Sequence, residues 1–255
     1  WLPLSRGLGD VYKRQMRGKA FGANDLAVAL AGNTDIMGAI AASYGRYWAR
    51  EMQNLLVQTI KGLFVSSGAL ATTHKLSVAA EATGSVPAAT QFSATEFLNA
   101  QFKLGDAADK LTMLMVHSKV YTDMQNLNLI TFEPTSDQRL QIPRYLGKEV
   151  IVCDSMPTRA GTTSGTVYTS ILCGEGAFAY AEAPCPNTVE TDRDILAGSD
   201  VIANRRHFAI HPQGIKFTSS SVAGASPTDA ELATAANWGK AFEDKNIAIV
   251  ALDTN

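Results

Sequence analysis

His207 and His211 stand four residues apart in HFAIH, a step that turns both imidazoles the same way on a strand or a helix and so suits two ligands of one metal ion. No third ligand follows at a matching step, and the segment alternates like a strand, so ordinary hydrogen-bonded histidines are expected. Glu190, Asp192 and Asp194 offer hard oxygen donors to a cation. Arg193 is interleaved among them, which favours an ion-paired, solvated segment. Gly174-Glu175-Gly176 has neither the third glycine nor the following helix of a dinucleotide fingerprint and reads as a turn. None of the Gly-Lys pairs at 18–19, 147–148 and 239–240 is followed by serine or threonine, as a phosphate-binding loop requires. In GTTSG, 161–165, the serine falls one place late for a nucleophile elbow. His117, after the apolar Leu114-Met115-Val116, suits a packed or interface position, and His74 sits in a polar stretch that carries no signal. The residues therefore predict no catalytic set, no metal site and no cofactor.

Composition points the same way. The chain has 255 residues, enough for a sizeable core, with 18% charged residues and a formal net charge of −2. Proteins that grip nucleic acid through their surface normally carry a clear basic excess. No apolar run approaches the ~20 residues that span a bilayer, and the first residues lack the apolar core of a signal peptide. Cys153, Cys173 and Cys185 form no Cys-x-x-Cys pair, so free thiols are expected. Asn204, Arg205 and Arg206 bring two arginines together, too few for a nucleic-acid patch but a common anchor at protein interfaces.

The elements that must carry these residues begin with a long helix. Thr34 or Asp35 can cap it, and Ile36, Ile40, Tyr44, Tyr47, Trp48, Met52, Leu55, Leu56, Ile60 and Phe64 mark one stripe at steps of three and four. Ser43, Arg46, Arg50, Gln53, Asn54 and Lys61 mark the opposite, wet side. About thirty residues at ~1.5 Å each make a rod of about 45 Å, against a mean helix of about twelve residues. Such a rod needs something extended to lie on. Residues 65–92 are small and polar and predict a flexible loop. Ser93 and Glu96 form a capping box before a second helix. A buried strand over 112–120 follows, then a short helix near Thr122–Asn126, a strand over 148–153 and two strands joined at Gly174–Gly176. A strand pair with an exposed edge is expected over NRRHFAIHPQGIKFT, a helix over about 229–240 capped by Thr228 or Asp229, and a last strand in KNIAIVALD. The order is α+β, without regular βαβ alternation.

Several of these segments together resemble the major capsid proteins of tailed bacteriophages and their prophages. DIMGAIAASYGRYWAREMQNLLVQTIKGLF, 35–64, looks like the spine helix of that fold. FSATEFLNAQFKLGDAADKLTMLMVHSKVYTDMQNLNLI, IPRYLGKEVIVCDSMP, VETDRDILAGSDVIANRRHFAIHPQGIKFT and VAGASPTDAELATAANWGKAFEDKNIAIVAL are similar to later signatures of one coat-protein family, so the resemblance covers about 17–252. It implies the Hong Kong 97-like shell fold, with a spine helix in a peripheral domain over 34–64 and 200–255, a flexible loop over 65–92, an axial domain over 93–199, and a remnant of an extended loop over 16–33. It also implies a non-enzymatic coat protein that self-assembles as hexamers and pentamers into an icosahedral head shell. The partners implied are other copies of itself, portal and scaffold proteins, and packaged DNA held without sequence specificity, with no membrane. The place implied is the virion capsid, reached from the host cytoplasm. Tyr44, Tyr47, Trp48, Met52, Arg205, Arg206 and Trp238 are the interface residues expected on that reading. The alternatives are an encapsulin-like compartment shell and a small-molecule α+β enzyme, which would need a deep pocket near His207 and Glu190.

The opening stretch is a separate matter. Asp10-Val11-Tyr12-Lys13-Arg14-Gln15 is the translation of the DNA string GATGTGTATAAGAGACAG, which resembles the transposon mosaic end used in sequencing libraries. Residues 1–15 are therefore expected to be adapter-derived, joined to an N-terminally truncated coat protein near Met16, and to have no packing role.

Overall fold

A computed structural model of the protein describes residues 14–32, 35–80, 86–134, 141–161, 165–218 and 221–255. Thr34 and most of the adapter-like stretch lie outside them. In chain order the elements are β1 (Gln15–Asn24), α1 (Asp25–Ala31), α2 (Ile36–Phe64), β2 (Lys75–Ser77), α3 (Ala94–Gln101), β3 (Leu111–Val116), α4 (Ser118–Asn126), β4 (Thr131–Pro134) and β5 (Gln141–Tyr145). There follow β6 (Lys148–Val152), β7 (Thr158–Ala160), β8 (Thr166–Gly174), β9 (Phe178–Ala183), β10 (Val189–Asp194), β11 (Ser199–Pro212), β12 (Ile215–Phe217), α5 (Asp229–Leu232), β13 (Trp238–Lys240) and β14 (Ile249–Thr254).

Two sheets organise the chain. The larger has eight strands in the order β2-β14-β8-β3-β6-β5-β4, with β7 also paired to β8, and is mixed, because β2 runs parallel to β14 and β3 parallel to β6. The smaller places β11 at its centre, between β1 on one side and β10 and β9 on the other, all antiparallel. β8 and β14 are almost wholly buried, and their side chains alternate between two cores as a period of two demands. Ile171, Cys173, Ile249 and Ala251 face α2, while Leu172, Val250 and Leu252 face α3 and α4.

α2 has 29 residues, so at ~1.5 Å each it measures about 44 Å. Its N-cap is Asp35, whose carboxylate accepts from Gly38 N at 2.9 Å. The expected stripe is the buried one: Tyr44, Trp48, Leu55, Ile60 and Phe64 all lie inside. The wet face ends near Asn54, however. From Leu55 onward both sides are covered, by the sheets on one side and by the α5–β13 segment on the other.

Some expectations change. Residues 66–80 form a turn-rich segment that buries Leu70 and His74 completely and adds β2 to the large sheet, so the segment does contribute packing. The helix expected over 229–240 is the single turn α5, because Trp238 Nε1 and Asn237 Nδ2 bond back to the carbonyls of Leu232 and Glu231 at 2.7 Å and pull the chain into β13. β8 and β9 meet at Gly174–Gly176 but part into different sheets instead of forming a hairpin. β11 is a central strand, and β12 pairs with β13. Strand pairing also crosses the expected boundary near 199/200 in both directions: β9 and β10 join β11, and β14 joins the sheet built from β3 to β8. Gln15, expected to pack against nothing, opens β1 opposite Phe208 with a buried side chain.

Candidate assembly surface

The residues expected at contacts fall into three places. Tyr44, Tyr47 and Trp48 gather on the N-terminal half of α2 with Phe21 of β1, ring against ring at 5.2–6.5 Å in edge-on geometry. Tyr44 is buried; its hydroxyl donates to the Ile202 carbonyl at 2.7 Å and to that of Lys19 at 3.1 Å, stitching α2 to two strands. Trp48 is also buried and donates its indole N–H to Asn204 Oδ1 at 2.7 Å. These two rings are therefore spent inside the subunit. Tyr47 is half-buried, and desolvation followed by the nearby Glu51 carboxylate holds its hydroxyl pKa above the ordinary range.

Arg206 and Arg205 are neighbours on β11 and so face opposite ways. Arg206 lies over the Trp48 ring, 5.6 Å from its centre, and 3.7 Å from Glu182. Arg205 turns to the other face, where it pairs with Glu190 and bonds the Asn187 carbonyl at 3.3 Å. Trp238 is remote from both, buried between Phe217 and the end of α2. Its place is structural: it seals the second side of the helix.

Met52 belongs to a feature that sequence reading missed. Where α2 crosses between the two sheets an open trough of about 770 Å³ remains. Met52, Met113, Met115 and Met156 line it, which is four of the chain's seven methionines. Ile151, Val152 and Tyr180 stand exposed along it, and among the described residues Arg206 is its only charged lining residue. Local desolvation of the hydroxyl, followed by its hydrogen bond to the Glu182 carboxylate, pushes the Tyr180 pKa up to about 12 although the ring is exposed. Methionines scattered over α2, β3 and the turn after β6 give no signal until the sheets bring them together.

A second missed feature is the far end of the small sheet. α1 packs beside the β10–β11 turn, held by Asp25 N to Gly198 O at 2.9 Å and by Arg193, whose guanidinium binds Asp25 at 2.6 Å and Asp200 at 2.9 Å. Leu26, Leu30, Ile195 and Leu196 project from this tip at 79, 90, 84 and 101% exposure. Exposed apolar patches are a feature of interaction surfaces.

The chemical candidates do not converge. His211 is buried against the Ile215 carbonyl at 2.7 Å, whereas His207 meets the Pro184 carbonyl at 3.2 Å. Glu190 is taken by Arg205, and Asp194 accepts from the backbone of Leu196 and Ala197 in its own turn. Among the described residues no three histidine, cysteine or acidic side chains come together as a metal site would require. His117 caps α4, accepting from Lys119 N.

The family model described as Gp13-like, major capsid protein 13-like, matches residues 34–250. Over 235 residues the chain is 39% identical to the major capsid protein of Bacillus phage SPP1, covering 92% of this chain and 70% of that protein. Its fold is similar to that of the capsid of Ralstonia phage GP4, with a TM-score of 0.60 at 9% identity over 94% of this chain and 73% of the other. It is also similar to the holo-SrpI encapsulin complex of Synechococcus elongatus PCC 7942, with a TM-score of 0.52 at 10% identity over 94% and 73%.

Proposed function

The chain belongs to the Gp13-like family of major capsid proteins, and from that premise we propose how it performs the family's task. It is a structural coat protein of the Hong Kong 97-like fold that assembles with other copies of itself into a phage head shell. We read the shell as icosahedral, built from hexamers and pentamers in the host cytoplasm around scaffold and portal proteins, and filled with DNA bound without sequence specificity. The small sheet with the N-terminal half of α2 then acts as the peripheral arm and the large sheet as the axial body. Tyr47, Met52, Arg205 and Arg206 are the expected interface residues that keep exposed or half-exposed side chains. The work on this reading is mechanical and non-enzymatic.

What supports the reading is α2. A rod of about 44 Å that ties two sheets together while one face of its N-terminal half stays open to solvent is stiffer and more exposed than one subunit needs. Weak contacts repeated around symmetry axes suffice for a closed wall, because each copy is held by several neighbours at once. The fold is shared with an encapsulin, so compartment assembly is the second reading. Electron microscopy of the purified chain tests the first claim: closed particles of uniform size are expected, and a lone monomer at milligram-per-millilitre concentration overturns it. Particles from phage-producing cells separate the two shells, since DNA and a single portal vertex belong to the phage head alone.

A further inference from the structure

We propose that the apolar tip of one copy, made by α1 and the β10–β11 turn, seats in the methionine-lined trough of a second copy. The inference rests on the shell reading and adds the surfaces that meet. Both features are finished in the single chain yet unoccupied by it: the tip holds four aliphatic side chains in water, and the trough leaves Ile151, Val152 and Tyr180 open beside four methionines. The trough cannot take its own tip. From Ser199 beside the tip to Arg206 at the trough is seven residues of β11, about 23 Å at ~3.3 Å per residue. β11 is paired with β1 over that whole length and with β10 as far as Asn204, and the Arg193 clamp to Asp25 and Asp200 fixes α1 on its end. Plug and socket on one stiff strand can meet only between copies, and the contact is head-to-tail, the kind that closes into rings.

Charge favours the same pairing. Asp192 and Asp194 keep the tip acidic beyond the Arg193 clamp on Asp25 and Asp200, while the charged residue lining the trough is Arg206, 3.7 Å from Glu182. Methionine suits the receiving side, because its unbranched, polarisable chain repacks around an incoming group. A coat protein must accept the same neighbour at slightly different angles, and a trough of this kind tolerates that without a new contact set.

Cross-linking between differently marked copies tests it. In a background carrying Cys153→Ala and Cys185→Ser, Leu196→Cys is placed in one preparation and Val152→Cys in another, both at exposed positions. The two are mixed, assembled and mildly oxidised. Disulfide-linked dimers and ladders are expected in the mixture at more than ten times the level in either preparation alone. Absence of the link, an equal yield with Leu127→Cys replacing Val152→Cys, or linkage of the Leu196→Cys chain to itself overturns the pairing. Particles that form without the link sink this contact and leave the shell reading standing. A link without particles retains the contact and sinks the shell reading.

Discussion

Gly62 of α2 and Trp238 of β13 lie in such close contact that a Cβ on the glycine would fall 2.5 Å from the indole Nε1 and 2.2 Å from the Leu232 carbonyl oxygen that this nitrogen bonds. The absence of a side chain lets the end of α2 slot under the α5–β13 segment, and that approach covers the second side of the helix.

Two glycines of one helix therefore respond oppositely to the same change. Glycine inside a helix costs up to ~1 kcal/mol relative to alanine. At Gly45 an added Cβ meets nothing within 4 Å, so Gly45→Ala gains stability of about that size. At Gly62 the same gain is overwhelmed by overpacking against backbone, and Gly62→Ala loses about 2 kcal/mol. Chemical denaturation of both variants reads the difference, and equal shifts would refute the close approach.

Buried Trp48 and half-buried Asn204 form a hydrogen-bonded pair across α2 and β11. Asn204→Ala leaves the indole N–H without its acceptor, at a cost of about 1–3 kcal/mol. Trp48→Phe removes the donor, and in that background Asn204→Ala costs at least about 1 kcal/mol less than it does alone. A double-mutant cycle that is additive within ~0.3 kcal/mol would show that the bond is not coupled.

Stability depends on pH through two buried imidazoles. Burial lowers the pKa of His74 and of His211, partly offset by their bonds to the carbonyls of Asp244 and Ile215. The unfolded chain titrates its histidines near ~6.5. Below that value it binds protons that the folded rings refuse, so stability is full above about 6.5 and falls as the pH drops toward the folded pKa values. The carboxylates with lowered pKa, Asp106, Asp154, Glu231 and Asp244, titrate below their ordinary range and stay out of this window. Melting temperature should decline from pH 7 to pH 5, and a flat or rising profile would contradict it.

The sequence makes α2 legible because its signal is periodic and local: the stripe from Tyr44 to Phe64 and the Asp35 cap need no knowledge of partners. The resemblance likewise rests on contiguous segments. Strand pairing is different. β8 and β9 adjoin at a turn, yet their partners β14 and β11 lie tens of residues onward, and nothing at Gly174–Gly176 encodes that choice. The same limit applies to the surface. Tyr44 and Trp48 look like contact residues by type, but their polar atoms find backbone and amide partners inside the chain. Leu26 and Leu196 look like core residues by type, and only the end of the sheet leaves them in water.

A single cation closes three elements at the base of α2. Lys75 Nζ of β2 lies 2.8 Å from Asp253 Oδ2 of β14 and donates to the Phe64 carbonyl at the helix end at 3.2 Å. Asp253 is fully buried and also accepts from Thr169 Oγ1 of β8 at 2.6 Å. Breaking a buried pair from one side costs more than the pair contributes, because the remaining charge has lost its solvent and its partner. Lys75→Met therefore destabilises by about 3–5 kcal/mol, and Asp253→Ala by a similar amount. Replacing both, as Lys75→Met with Asp253→Leu, recovers much of that loss, since a well-packed apolar substitute needs no desolvation. Denaturant titration of the three variants decides it. A Lys75→Met loss below ~1 kcal/mol would mean that Arg159, 4.0 Å from the same carboxylate, holds the charge instead.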